Sequence, residues 1–166
     1  MIDKLLFPQI ATELQEMVLK GQEMRDKNKK DNNYWNADID KSNFVRLIEI
    51  IKEIGFPTIS KVGKEGMKNA WLIVQHSDHD VSFQESCLDL MKKAQVGEIE
   101  KKYVAYLEDR VRIEKKLPQL YGTQFKKVDG KWVPLPIEDE SNVDERRAQM
   151  GMDTLKDQIK LMEEKG

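Results

Sequence analysis

Between Lys64 and Ser77 the apolar side chains cover more than one helical face, and no other stretch constrains the fold as strongly. Met67, Ala70, Trp71 and Val74 share one face with Asp78 a turn further on, and Leu72 and Ile73 widen it. A helix apolar over so wide an arc must be covered from several sides, so further helices are expected around it. At its end the apolar run passes directly into Gln75-His76-Ser77-Asp78-His79-Asp80, which contains both histidines of the chain. Proton-handling side chains are therefore concentrated at the end of the most buried helix.

The neighbouring stretches supply the cover. From Pro8 to about Lys29, Ile10, Leu14, Met17, Val18 and Met24 recur at three- and four-residue intervals, which predicts an amphipathic helix. Pro8 suits its first turn, and the basic end from Lys20 to Lys30 complements the helix dipole. Residues Asn32 to Asp38 read as a loop whose Tyr34 and Trp35 fold back onto the core. A second helix is expected from Asp40 or Ser42 to Ile54, with Phe44, Leu47, Ile48, Ile51 and Ile54 as its stripe, Gly55 at C′ and Pro57 as a stop. Thr58 to Gly66 is expected as a connector, and it lacks the Gly-Lys-Ser/Thr of a phosphate loop. Asp78 or Asp80 is placed to cap a fourth helix from Val81 to about Ala94, with Phe83, Cys87, Leu88 and Met91 as core positions.

A fifth helix is expected from Ile99 to Lys116. Its apolar face is interrupted by Asp109-Arg110, a cost unless both are satisfied. Tyr121 to Pro134 then changes grammar: Asp129-Gly130 between two short strands is the signal for a type I′ hairpin. Trp132 in it is a lid over a pocket or an aromatic packed on the helices. A short helix from Val143 to Met150 and a terminal helix from Asp153 or Thr154 to about Glu164 complete the chain. The expected fold is mainly α: a single helical domain over 1–166, of six to seven helices, with one small β-hairpin after the fifth.

Charge narrows the function classes. A formal net charge of −2 and a pI near 5.8 argue against a nucleic-acid binder, which carries a basic stripe. No apolar run approaches a bilayer span, and Met1 to Pro8 is too short in apolar residues for a signal peptide. The single cysteine, Cys87, excludes an internal disulfide and fits a reducing cytosol. A cytoplasmic protein with no membrane and no nucleic-acid partner is expected; the sequence leaves its oligomeric state open.

Several motifs carry a family resemblance. Gly55-Phe56-Pro57-Thr58-Ile59-Ser60, the run from Ala70 to Asp80, Tyr106 to Val111, Pro118 to Gln124, Val133 to Asp139 and Val143 to Arg147 together resemble an uncharacterised bacterial domain family, domain of unknown function 6624. The resemblance runs from about Gln22 to Gly151, with the helix after it, 152–166, as an extension. Gln22 and Arg25 fit the family pattern, whereas Gly21 stands where the family has an aspartate. The resemblance implies one compact domain and supplies no reaction.

Polar groups set among apolar ones are the candidate site: Arg46, Gln75, His76, Asp78, His79, Asp109, Arg110, Gln119, Tyr121, Gln124 and Arg146 or Arg147. Two chemistries use such a set. His76 and Asp80, four residues apart, reach one divalent metal ion if the helix continues through them and Asp109 or another carboxylate completes the site. Without metal, His76 is the general base, Asp109 or Asp78 orients it, and Arg110 with Arg46 binds anionic charge. Gln75, Gln119, Tyr121 and Gln124 fix a polar substrate by hydrogen bonds. Against these stand plainer roles: Arg46 as a snorkelling surface arginine, and the Ser77-to-Asp80 run as helix caps and core hydrogen bonds. Cys87 and Ser77 are poor nucleophiles, one buried and the other outside a strand–turn–helix frame. The expectation is a polar pocket between the third and fifth helices, covered by the Tyr121–Gln124 segment, in a hydrolase-like acid–base enzyme acting on a polar or anionic small molecule or peptide. The alternative is a non-catalytic ligand-sensing or protein-interaction module in which the same residues form a hydrogen-bond network.

Overall fold

The computed structural model describes residues 4–31 and 36–164. Among them are seven α-helices and one antiparallel hairpin, in two compact units, 1–99 and 100–166. The protein is mainly α.

The first unit contains α1 (Pro8–Lys30), α2 (Ala37–Ile54), α3 (Ile59–Gln75) and α4 (Val81–Lys93). As its apolar arc requires, α3 packs against α1, α2 and α4. Leu14, Leu47, Ile50, Val62, Met67, Ala70 and Val74 form the centre of this core. Cys87 belongs to it, and burial pushes its thiol up to about 12. Two boundaries differ from the sequence expectation. Helix α2 starts at Ala37 because the Asn36 side chain caps it, accepting from the Asp38 N–H at 3.0 Å. The expected connector 58–66 is already helical from Ile59, broken only at Gly63, whose φ of 78° bends the chain. Ahead of α1, Leu6 and Phe7 donate backbone hydrogen bonds to Ser60 and Lys61. The expected packing of Tyr34 and Trp35 lies outside the described residues.

The second unit contains α5 (Lys101–Glu114), strands β1 (Phe125–Val128) and β2 (Lys131–Pro134), α6 (Val143–Gln149) and α7 (Leu155–Glu164). The hairpin register pairs Phe125 with Pro134 and Val128 with Lys131. Asp129 and Gly130 have φ of 48° and 80°, the two positive values that a type I′ turn demands. A single parallel bridge joins Gln119 to Ile137, and α7 packs on β2. Tyr103, Val104, Ala105, Leu107, Val111, Val143 and Leu155 are buried apolar residues of this unit. No helix among the described residues is long and apolar enough to cross a membrane.

Candidate functional site

The sequence-predicted residues divide between the units: Arg46, Gln75, His76, Asp78, His79 and Asp80 in the first, Asp109, Arg110, Gln119, Tyr121, Gln124, Arg146 and Arg147 in the second.

In the first unit α3 stops at Gln75, and His76 is its C-cap, with φ −92° and ψ 8°. The turn that follows is pinned from inside. Buried Ser77 donates its hydroxyl to the Ile73 carbonyl at 2.8 Å, and Asp80 accepts from the Phe83 N–H at 2.9 Å as the N-cap of α4. Gln84, with no exposure, donates to the Val74 carbonyl and to Asp78. Gln75 is buried, while His76, Asp78 and His79 are exposed. The His79 ring meets Phe44 edge-on at 4.6 Å, and Phe44 meets Phe83 in the same way at 4.9 Å. The expected His76–Asp80 metal pair depended on a continuous helix. That helix ends at Gln75, and Asp80 caps the next one instead. Among the described residues no group of three or more His, Cys, Asp or Glu side chains could hold a metal ion.

A cleft of about 680 Å³ opens beside this turn, lined by Arg25, Ala37, Asp38, Asp40, Lys41, Phe44, Val45, His76, Asp78 and His79. A recess of about 30 Å³ adjoins it, sharing Arg25, Asp40 and His76 and reaching Gly21, Asn43 and Leu72. The centre of both is an ion pair joining α1 to α2. Arg25 Nη2 lies 2.8 and 2.9 Å from the two carboxylate oxygens of Asp40, and both side chains are largely shielded, at 18% and 17% exposure. Composition alone does not single out Asp40, Asn43 or Phe44 as site residues; the resemblance touches the corner through Gly21, Gln22 and Arg25. The sequence signal available was Gly21 itself, a glycine in the interior of a long helix.

Arg46 is not available as an anion clamp. Its guanidinium is held by Glu13 at 2.5 Å and by Glu49 at 2.9 Å. These carboxylates raise the Arg46 pKa, and the hydrogen bond from Arg46 draws the Glu13 carboxyl below its usual value.

In the second unit the predicted polar residues form a scaffold. Asp109 has no exposure, and its carboxylate accepts the N–H groups of Leu120, Tyr121 and Thr123 and the Thr123 hydroxyl, at 2.7 to 3.2 Å. Burial outweighs those donors and holds its carboxyl above the usual carboxylate value. The same loop is held by its carbonyls: Arg146 donates to Leu120 at 2.8 Å and Arg147 to Tyr121 at 2.6 Å. Arg147 is 1% exposed and also donates to the Asp153 carbonyl. Gln119 has no exposure; it accepts from the Gln124 N–H and donates to the Gln124 and Leu135 carbonyls. The Gln124 amide donates to Thr123 at 3.1 Å. Tyr121 and Arg110 are half-buried. Asp109 and Gln119, predicted as an orienting acid and a substrate amide, therefore spend their hydrogen bonds on the backbone of 119–135.

A family model matches residues 18–166, that of a family of unknown function (DUF6624); the match takes in the terminal helix. No curated protein and no solved structure matches the chain.

Proposed function

The chain belongs to this family of unknown function, which brings no reaction with it, and we propose that its first unit binds a polar small molecule in the cleft and exchanges a proton with it through His76. The observation that carries this reading is the convergence of cleft and recess on His76 and the Arg25–Asp40 pair. A volume of about 680 Å³ is in the range of small-molecule sites, which combine apolar walls with a few convergent polar groups. Phe44, Val45 and Ala37 supply the wall, and His76, Asp78 and His79 the polar rim. Imidazole is the side chain whose proton equilibrium lies nearest neutrality, so an exposed histidine here suits general acid–base work of the hydrolase type. Asp78, tied to Gln84, is the nearest carboxylate in sequence able to orient it. Asp109, Gln119 and Arg46 drop out of this reading, because backbone and glutamate partners already occupy them.

Their scaffolding role favours a second reading, ligand binding without turnover. A panel of ester, amide and phosphoester substrates decides between the two. His76→Gln should lower turnover by about a hundredfold or more while ligand binding, read by calorimetry, persists. Turnover that survives in His76→Gln removes the acid–base role; binding with no turnover on any substrate class leaves the second reading. The single cysteine, buried and unpaired, favours a reducing compartment such as the cytoplasm.

A further inference from the structure

Gly21 lies in the interior of α1 and is buried, where glycine is less favourable than alanine. Its φ is not among the positive values of the chain, so the backbone does not require glycine there. What glycine leaves is a place for the Arg25 guanidinium: a Cβ at this position would stand 2.8 Å from Arg25 Nη1, with Asn43 Nδ2 at 3.7 Å and Asp40 Oδ1 at 3.8 Å. The recess of about 30 Å³ beside it is lined by Gly21, Arg25, Asp40, Asn43 and His76, large enough for one small polar group and too small for a whole ligand.

The donors around it are oriented. Asp40 holds Arg25 through Nη2 alone, which leaves Nη1 turned toward Gly21. Asn43 gives one N–H to the Met17 carbonyl at 3.0 Å and keeps its second. Two nitrogen donors facing one small space select an oxygen acceptor. The guanidinium charge is already balanced by Asp40, and Asp40 Oδ1 forms part of the wall, so a second full anion is disfavoured there. From this arrangement we infer that the recess seats the neutral carbonyl oxygen of an amide or ester, with Arg25 and Asn43 donating to it and Gly21 letting Nη1 lie at its edge. The inference rests on the cleft being the ligand site, and it names the substrate class: a carbonyl compound whose oxygen is fixed beside His76. Arg25 and Asn43 are binding residues in this arrangement, and Gly21 is the residue that lets Arg25 Nη1 reach it.

The test uses the whole chain and three small probes, acetamide, pivalamide and acetate, titrated while the Arg25 Nε–H and Gly21 amide resonances are followed by NMR. Acetamide should produce a saturable shift at both resonances. Pivalamide, too bulky beside the carbonyl, and acetate, which is charged, should each bind at least about tenfold more weakly. Gly21→Ala, whose Cβ displaces Arg25 Nη1, should lose the acetamide response at Arg25. The size and charge series in the unaltered protein stands even if that variant fails to fold. Absence of a saturable acetamide shift, acetate bound in preference, or an unchanged response in folded Gly21→Ala each overturns the inference. Since the shift is read without turnover, it persists in His76→Gln if only the acid–base reading is wrong.

Discussion

A carboxylate removed from water is costly unless the chain replaces its hydration, and Asp109 obtains that replacement from four donors on one short loop. Asparagine at this position has nearly the same shape but turns an N–H toward N–H groups. Asp109→Asn should therefore cost about 3 kcal/mol, read as a lower urea midpoint; an unchanged midpoint would remove Asp109 from the scaffold. Gly122, inside the same loop, has φ 67° and would bring a Cβ to 2.7 Å from the Leu155 side chain. Gly122→Ala should cost at least about 2 kcal/mol by the same measurement, from backbone strain and overpacking together. Cys87 gives a simpler result. With its thiol pushed up to about 12 by burial, it should resist alkylation at pH 8 in the folded protein and react on unfolding.

At the scale of elements, sequence patterning was informative where one face of a helix decides its fate. The stripe of α1, the wide arc of α3 and the Asp129-Gly130 turn are as their spacing implies, because burial and positive φ are local demands; in α2 the buried positions are Leu47 and Ile50, the second outside the expected stripe. The Asp80 cap was legible for the same reason, and Asp80→Ala should lower stability by about 1 kcal/mol without disturbing the cleft; a larger loss would mean that the turn 76–80 depends on it too. The site was less legible. Counting polar residues at core positions finds groups that need partners, but it cannot say whether the partner is a ligand or the chain's own backbone. Asp109 and Gln119 need the loop, Arg46 needs Glu13 and Glu49, and none of these pairings has a fixed spacing in sequence. Arg25 and Asp40 meet only when α1 and α2 pack, so Arg25 stood out through the resemblance alone and Asp40 not at all. Gly63 was read as part of a connector, whereas the chain stays helical on both sides of it.

On the scale of the whole molecule, the carboxylates held below their usual range are those whose stability is lost in acid. Glu98 accepts hydrogen bonds from Thr58 and Ser60, which lower its pKa, and Arg46 lowers that of Glu13. Below the ordinary glutamate value of 4.5 the unfolded chain takes up these protons before the folded one does. The stability they contribute is complete above that value and declines as pH falls through the lower folded values. The melting temperature should drop on that limb, and Glu98→Gln should flatten it; an identical acid limb in the variant would contradict the assignment. The loop 119–124 implies something about timescale as well. Asp109 grips its amides from α5, and Arg146 and Arg147 grip its carbonyls from α6. Those N–H groups can therefore swap with deuterium only when the second unit opens as a whole. Leu120, Tyr121 and Thr123 should rank with the helix interior among the slowest-exchanging amides, in a stretch with no regular secondary structure.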